Sequence, residues 1–184
     1  MRYLSKTIVR TCALLFVVGV LAGVVIYAQR SPVVEKQVAG TSAIPAHVVM
    51  AVVAVGVFIG LPRLRMASRA PYSPWVAPFS RSAFDRFKQT LLLRSGASPG
   101  AIVRAVLAAL LAILLLFNFF RAGAQVIGGL DPNFTINAWG GPSYLGAMLA
   151  HYLDAIYLIY VEALLLNLVL VNATVAVPGG VLDG

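Results

Sequence analysis

Charge is scarce in this 184-residue chain: 11% of residues are Asp, Glu, Lys or Arg, and only six are acidic. A soluble domain is usually about a quarter charged. A single cysteine, Cys12, excludes an intrachain disulfide and a cysteine-built metal cage. Its ordinary role is that of a small apolar residue in a helix. Only two histidines are available, His47 and His151. There is no Gly-rich phosphate loop, no HExxH zinc motif and no GxSxG nucleophile elbow. An enzyme acting alone on a polar substrate has little to work with here, so the chain reads as more a component than a catalyst.

What it has in quantity is apolar surface. Hydrophobic residues make up 60% of the sequence, and the mean hydropathy is +0.91. The expected fold is all-α: one polytopic membrane domain over residues 1–184. Four segments approach or exceed the roughly 20 apolar residues a bilayer crossing needs. They run over about 11–28, 46–61, 101–120 and 144–171. Pro45 and Pro62 bracket the short second span as start and stop signals. The fourth is longer than a perpendicular crossing requires and should tilt or protrude.

The basic residues orient these spans. Arg2, Lys6 and Arg10 precede the first, Arg63 to Arg94 fill the second connection, and Arg104 opens the third. Eleven Lys and Arg thus lie on one side, against three (Arg30, Lys36, Arg121) on the other. The positive-inside rule then puts both termini in the cytoplasm. The net charge of +8 reads as attraction to anionic headgroups, not to nucleic acid, because no basic run with interleaved aromatics stands clear of the spans. Arg2 to Ala28 also resembles a signal peptide, but its apolar core is longer than usual, so a retained anchor is expected. With nothing pointing to a secretory-pathway host, a bacterial plasma membrane is the expected location.

The cytoplasmic loop 62–100 begins irregularly around Pro71, Pro74, Trp75 and Pro78. A helix is predicted over Arg81 to Arg94, with Phe84, Phe87 and Leu91 on one face and Arg86 and Lys88 among its positive charges. Such a segment lies in the headgroup region, apolar side down, or packs on the protein's own inner end. The outer loop 122–143 is rich in turn residues and carries Trp139, suited to the interfacial aromatic belt. Its Asn133-Phe134-Thr135 matches a glycosylation sequon, a pattern frequent by chance.

The last span holds the candidate site. His151, Asp154 and Glu162 fall within roughly an 80° arc of one helix face. An intramembrane carboxylate costs several kcal/mol unless paired, neutralised or hydrated. Two uses compete. One is pairing within the bundle, with Arg104 placed toward Glu162 and Arg121 toward Asp154 or His151. The other is a proton or ion pathway, although Asp154 and Glu162 stand roughly 12 Å apart along the axis. Tyr157 and Tyr160 point elsewhere on the helix. His47 and His151 together would suit axial ligation of a haem, with a depth mismatch of roughly 5 to 8 Å. No metal set is complete in the sequence, because His151 and Asp154 would need ligands from elsewhere.

Glycines supply the packing clue. Gly19 with Gly23, and Gly56 with Gly60, form two GxxxG pairs that let helix backbones approach closely. Because their spans run in opposite directions, the pairs sit at different depths and should seat other helices or a neighbouring subunit. The sequence therefore reads as a small membrane subunit or accessory component of a larger complex. The alternatives are a proton or small-ion carrier using the intramembrane carboxylates, and a quinone- or haem-linked oxidoreductase component. Expected partners are anionic lipid and other membrane subunits or further copies of the chain.

Overall fold

A computed structural model describes residues 4–36, 44–65, 77–92 and 96–171. Among these, every regular element is helical: α1 (Lys6–Ala28), α2 (Ile44–Arg65), a 3₁₀ turn (Ala77–Phe79), α3 (Arg81–Leu91), α4 (Pro99–Gly128), a short α5 (Pro132–Thr135) and α6 (Tyr144–Val169). Three of them, α1, α4 and α6, are long and apolar enough to cross a membrane. Pro71, Pro74, Trp75, Arg69 and Arg94 lie outside the described residues.

Serines set the helix starts. The hydroxyls of Ser5, Ser80, Ser98 and Ser143 accept from the backbone N–H three residues on, capping α1, α3, α4 and α6. Pro99 in the first turn of α4 gives up only an N–H that would be unpaired anyway. These caps move boundaries. Counting apolar residues starts the first span at Thr11, but Ser5 starts the helix at Lys6. Arg121 ends the apolar run of the third span, yet nothing before Gly128-Gly129 breaks the backbone, so α4 continues to Gly128. Charge stops an apolar count; it does not stop a helix. Pro62 likewise does not end α2, which runs on to Arg65.

The central helix is α4, packed against α1 on one side and α6 on the other. Its contact with α1 is parallel and nearly backbone to backbone. A Cβ at Gly19 would meet Ala124 N at 2.9 Å, and one at Gly23 would meet Gly128 N at 3.1 Å. From the facing side, a Cβ at Gly123 would meet Val20 N at 3.0 Å. Against α6 the packing is antiparallel, and two tyrosines pin it. Tyr144 donates its hydroxyl to the Val126 carbonyl at 2.8 Å, and Tyr152 donates to Ala122 at 3.3 Å.

Small residues occupy these seams and large ones face outward. Ala105, Ala108, Ala147, Ala150, Ala155 and Ala163 are buried, whereas Leu14, Leu21, Ile113, Leu145 and Leu149 are exposed. Lipid tails are as apolar as leucine, so helices gain by close packing of small residues and leave leucine to the bilayer.

At the basic end, the chain before α1 pairs with the 3₁₀ turn, Ser5 N–H donating to Phe79 O at 3.0 Å. Helix α3 lies across the ends of α4 and α6, with Phe87 against Ala83, Ala108 and Leu170. Arg86 caps the end of α6. Its guanidinium donates to Val171 O at 2.7 Å, Asn167 O at 3.0 Å, Asn167 Oδ1 at 2.9 Å and Leu170 O at 3.3 Å. A cation there also meets the negative end of the helix dipole. Phe87 of its apolar face packs on the protein's own helices, and Arg86 is turned to carbonyl oxygens at the end of α6. Leu91 and Lys88 stay exposed, and Lys88 stands over the Phe84 ring.

Candidate functional site

The far ends of the helices gather a polar cluster. His47, in the first turns of α2, brings Nε2 to 2.7 Å from Asp154 Oδ2 on α6. Trp139, from the loop before α6, donates its indole N–H to the same oxygen at 3.3 Å. The two rings stand 4.9 Å apart, centroid to centroid. Both members of the pair are largely buried, with side-chain exposures of 19% and 13%. Asp154 is thus answered by a histidine from another helix and an indole, not by Arg121. Among the described residues this contact is also the main tie between α2 and the bundle, since α2 packs on α6 more than on any other element.

His151, three residues before Asp154, sits beside Phe134 of α5, ring centroids 5.7 Å apart. Asp154, His47 and Arg121 are all close enough for their charges to act on it. Its two ring nitrogens and Gln125 Oε1 are the buried side-chain polar atoms without a hydrogen-bond partner among the described residues. Both residues belong to the far half of the α4–α6 pair. Of the two histidines read as a candidate ligand pair, His47 has its Nε2 on Asp154. Among the described residues no group of three or more His, Cys, Asp or Glu is arranged to hold a metal.

The loop that supplies Trp139 is held in place by its neighbours. Gly140 packs against the backbone of Gly146, and Gly141 adopts φ +93°, a conformation glycine tolerates best. Asn133 clamps the chain after α1: its Nδ2 donates to Val33 O and its Oδ1 accepts from Glu35 N–H, both at 2.8 Å. A glycan on that nitrogen would break the clamp.

Glu162 has a different answer. It is buried between α6 and α4, where Asn118 Nδ2 donates to both carboxylate oxygens at 3.0 and 2.9 Å. The same nitrogen also reaches Leu114 O at 3.2 Å. Arg104 is exposed and makes no ion pair with Glu162 among the described residues. An amide satisfies hydrogen bonding but supplies no countercharge, so this carboxyl is held in place without an ion-pair partner among the described residues. Tyr160 faces the 3₁₀ turn, edge-on to Phe79 at 6.5 Å.

Asn118 and Gln125 were not singled out by sequence reasoning, and Trp139 was read only as an interfacial aromatic. Asn118 and Gln125 were legible as lone amides in an apolar helix, a pattern that marks interhelical bonding. Nothing local in the sequence pairs Trp139 with Asp154.

Gly19 and Gly23 face α4, as described. Gly56 and Gly60 face nothing: no atom of the described residues lies within 4 Å of a Cβ built at either. No family model, curated protein or solved structure matches the chain.

Proposed function

We propose that this chain is a four-span membrane protein, both termini cytoplasmic, that serves as a subunit or accessory component of a larger membrane assembly. In this reading α2 is the fourth span and the docking helix, and α3 lies at the headgroup level. The observation that carries it is α2 itself. The helix is tied to the bundle at one end by His47, and its glycine pair is left open. Close-packing glycines offered to no helix among the described residues are the form of a seam awaiting a second one. The clustering of α1, α4 and α6 ends with the basic segments supports the orientation, as does the packing of α1 on α4, which a cleaved leader would forfeit.

Placing a photo-crosslinking residue at Gly60 in intact membranes tests the reading. Adducts to a discrete protein species are expected; adducts to lipid alone would contradict it. A carrier of protons or small ions is the second reading, favoured by the His151 nitrogens, which find no hydrogen-bond partner among the described residues, beside the His47–Asp154 pair. It requires water or another subunit to bridge the roughly 12 Å between Asp154 and Glu162. Reconstituted vesicles that show no flux driven by pH or potential would dispose of it.

A further inference from the structure

The basic end contains two adjoining cavities that share Ile8, Cys12 and Phe79. The inner one, about 130 Å³, lies between the first turns of α1, the 3₁₀ turn, α3, the middle of α4 and the end of α6, with Ala112 and Phe87 in its wall. The outer one, about 630 Å³, opens along α1 between Phe16, Phe119 and Tyr160. Their walls are almost wholly aliphatic and aromatic. An apolar cavity of this kind does not hold water well. In a bilayer the substance at hand to fill it is an acyl chain.

Charge at the rim narrows the choice. Lys6 adjoins the wall residue Thr7, and Arg81 falls between the wall residues Phe79 and Ala83; both are exposed. Arg10, also exposed, lies one turn further along α1. None of these three enters an ion pair among the described residues; Asp85, one turn on from Arg81 and near enough to feel its charge, is bound instead by Lys88 at 2.8 Å. Apolar depth beneath cations that are held in no ion pair is the arrangement that suits an anionic lipid, tail below and phosphate above.

We infer that this groove is a binding site for one anionic glycerophospholipid of the basic-side leaflet, its acyl chain lying beside Cys12 and its phosphate on Lys6 and Arg81. The inference rests on the membrane reading but not on α2 meeting a partner, so the two fail separately. Cys12 lines both cavities and is the sole cysteine, which makes it a built-in reporter.

The test uses the full chain in vesicles of equimolar phosphatidylglycerol and phosphatidylcholine with matched tails. Bound lipid is then read by native mass spectrometry, and Cys12 alkylation by N-ethylmaleimide. The wild type should retain one phosphatidylglycerol and alkylate more slowly with it than in lipid-free detergent. Lys6→Gln with Arg81→Gln should cut the preference for phosphatidylglycerol about thirtyfold, at roughly 1 kcal/mol per charge. Ala112→Leu, which fills the inner cavity, should lose both lipids. Equal retention of the two lipids by the wild type, or alkylation indifferent to lipid, overturns the inference whether or not either variant folds. Undiminished retention by a folded Ala112→Leu protein also overturns it.

Discussion

Gly19 with Gly23 and Gly56 with Gly60 share one spacing and meet opposite fates. The first pair is closed against α4, where Gly123 answers from the facing helix and the backbones meet at van der Waals distance. The second meets no atom of the described residues, on a helix tied to them near His47. The difference lies not in the glycines but in whether another helix presents small residues at the matching height. A GxxxG pair marks a capacity for close approach; its partner is decided elsewhere.

The carboxylates repeat the lesson. Asp154 and Glu162 lie on one arc of one helix, yet one meets a histidine and an indole, the other only an amide. Asp154 therefore joins two helices through a pair able to carry charge, and Glu162 locks α6 to α4 by hydrogen bonding alone.

The sharpest way to break the glycine comparison is substitution on both sides. Gly19→Leu with Gly23→Leu should destabilise the protein by more than the roughly 1–3 kcal/mol of ordinary overpacking, because the obstruction is backbone. Gly56→Leu should change the thermal midpoint in detergent by no more than a surface change would, about 0.5 kcal/mol. Equal losses would erase the distinction.

For the carboxylates, Asn118→Ala removes the donor of a buried acid and should cost about 1–3 kcal/mol. Glu162→Gln, which keeps the shape, should cost less in the same denaturation assay. His47→Ala should cost on the order of 2 kcal/mol locally and leave the α1–α4 seam intact. Spin labels on α2 and α6 would then report a broadened distance distribution, while labels on α1 and α4 would not change.

The smallest effect is expected at Asp85 on α3. The Lys88 ammonium hydrogen-bonded to it holds its carboxyl below the usual aspartate range. A depressed value means the contribution is present at neutral pH and fades as pH falls through the folded-state value. Both groups are about half exposed, so the loss should be slight and should vanish in high salt. Asp85→Asn should remove that shallow acid dependence.

Much of the helical framework was legible in composition, because long apolar runs with few charges admit little else in a membrane. Helix ends were less so: capping by Ser5 and Ser98 acts through the backbone, outside any apolar count. Within the candidate site, the polar arc of α6 was readable from 3.6-residue periodicity. Its partners were not. Arg104 and Arg121 were the natural countercharges by depth, but the structure turns His47, Trp139 and Asn118 to the acids. Depth along a helix is a one-dimensional quantity, and pairing also depends on rotation about the axis, which tertiary packing decides.

The assembly reading depends on the open face of α2, and the particle mass in lipid nanodiscs tests it most directly. Gently extracted wild-type protein should travel in a species heavier than the 19.5 kDa chain, and Gly56→Leu should return it to that mass without unfolding it. A wild-type particle holding one copy and nothing else, or a Gly56→Leu particle of unchanged larger mass, would contradict it.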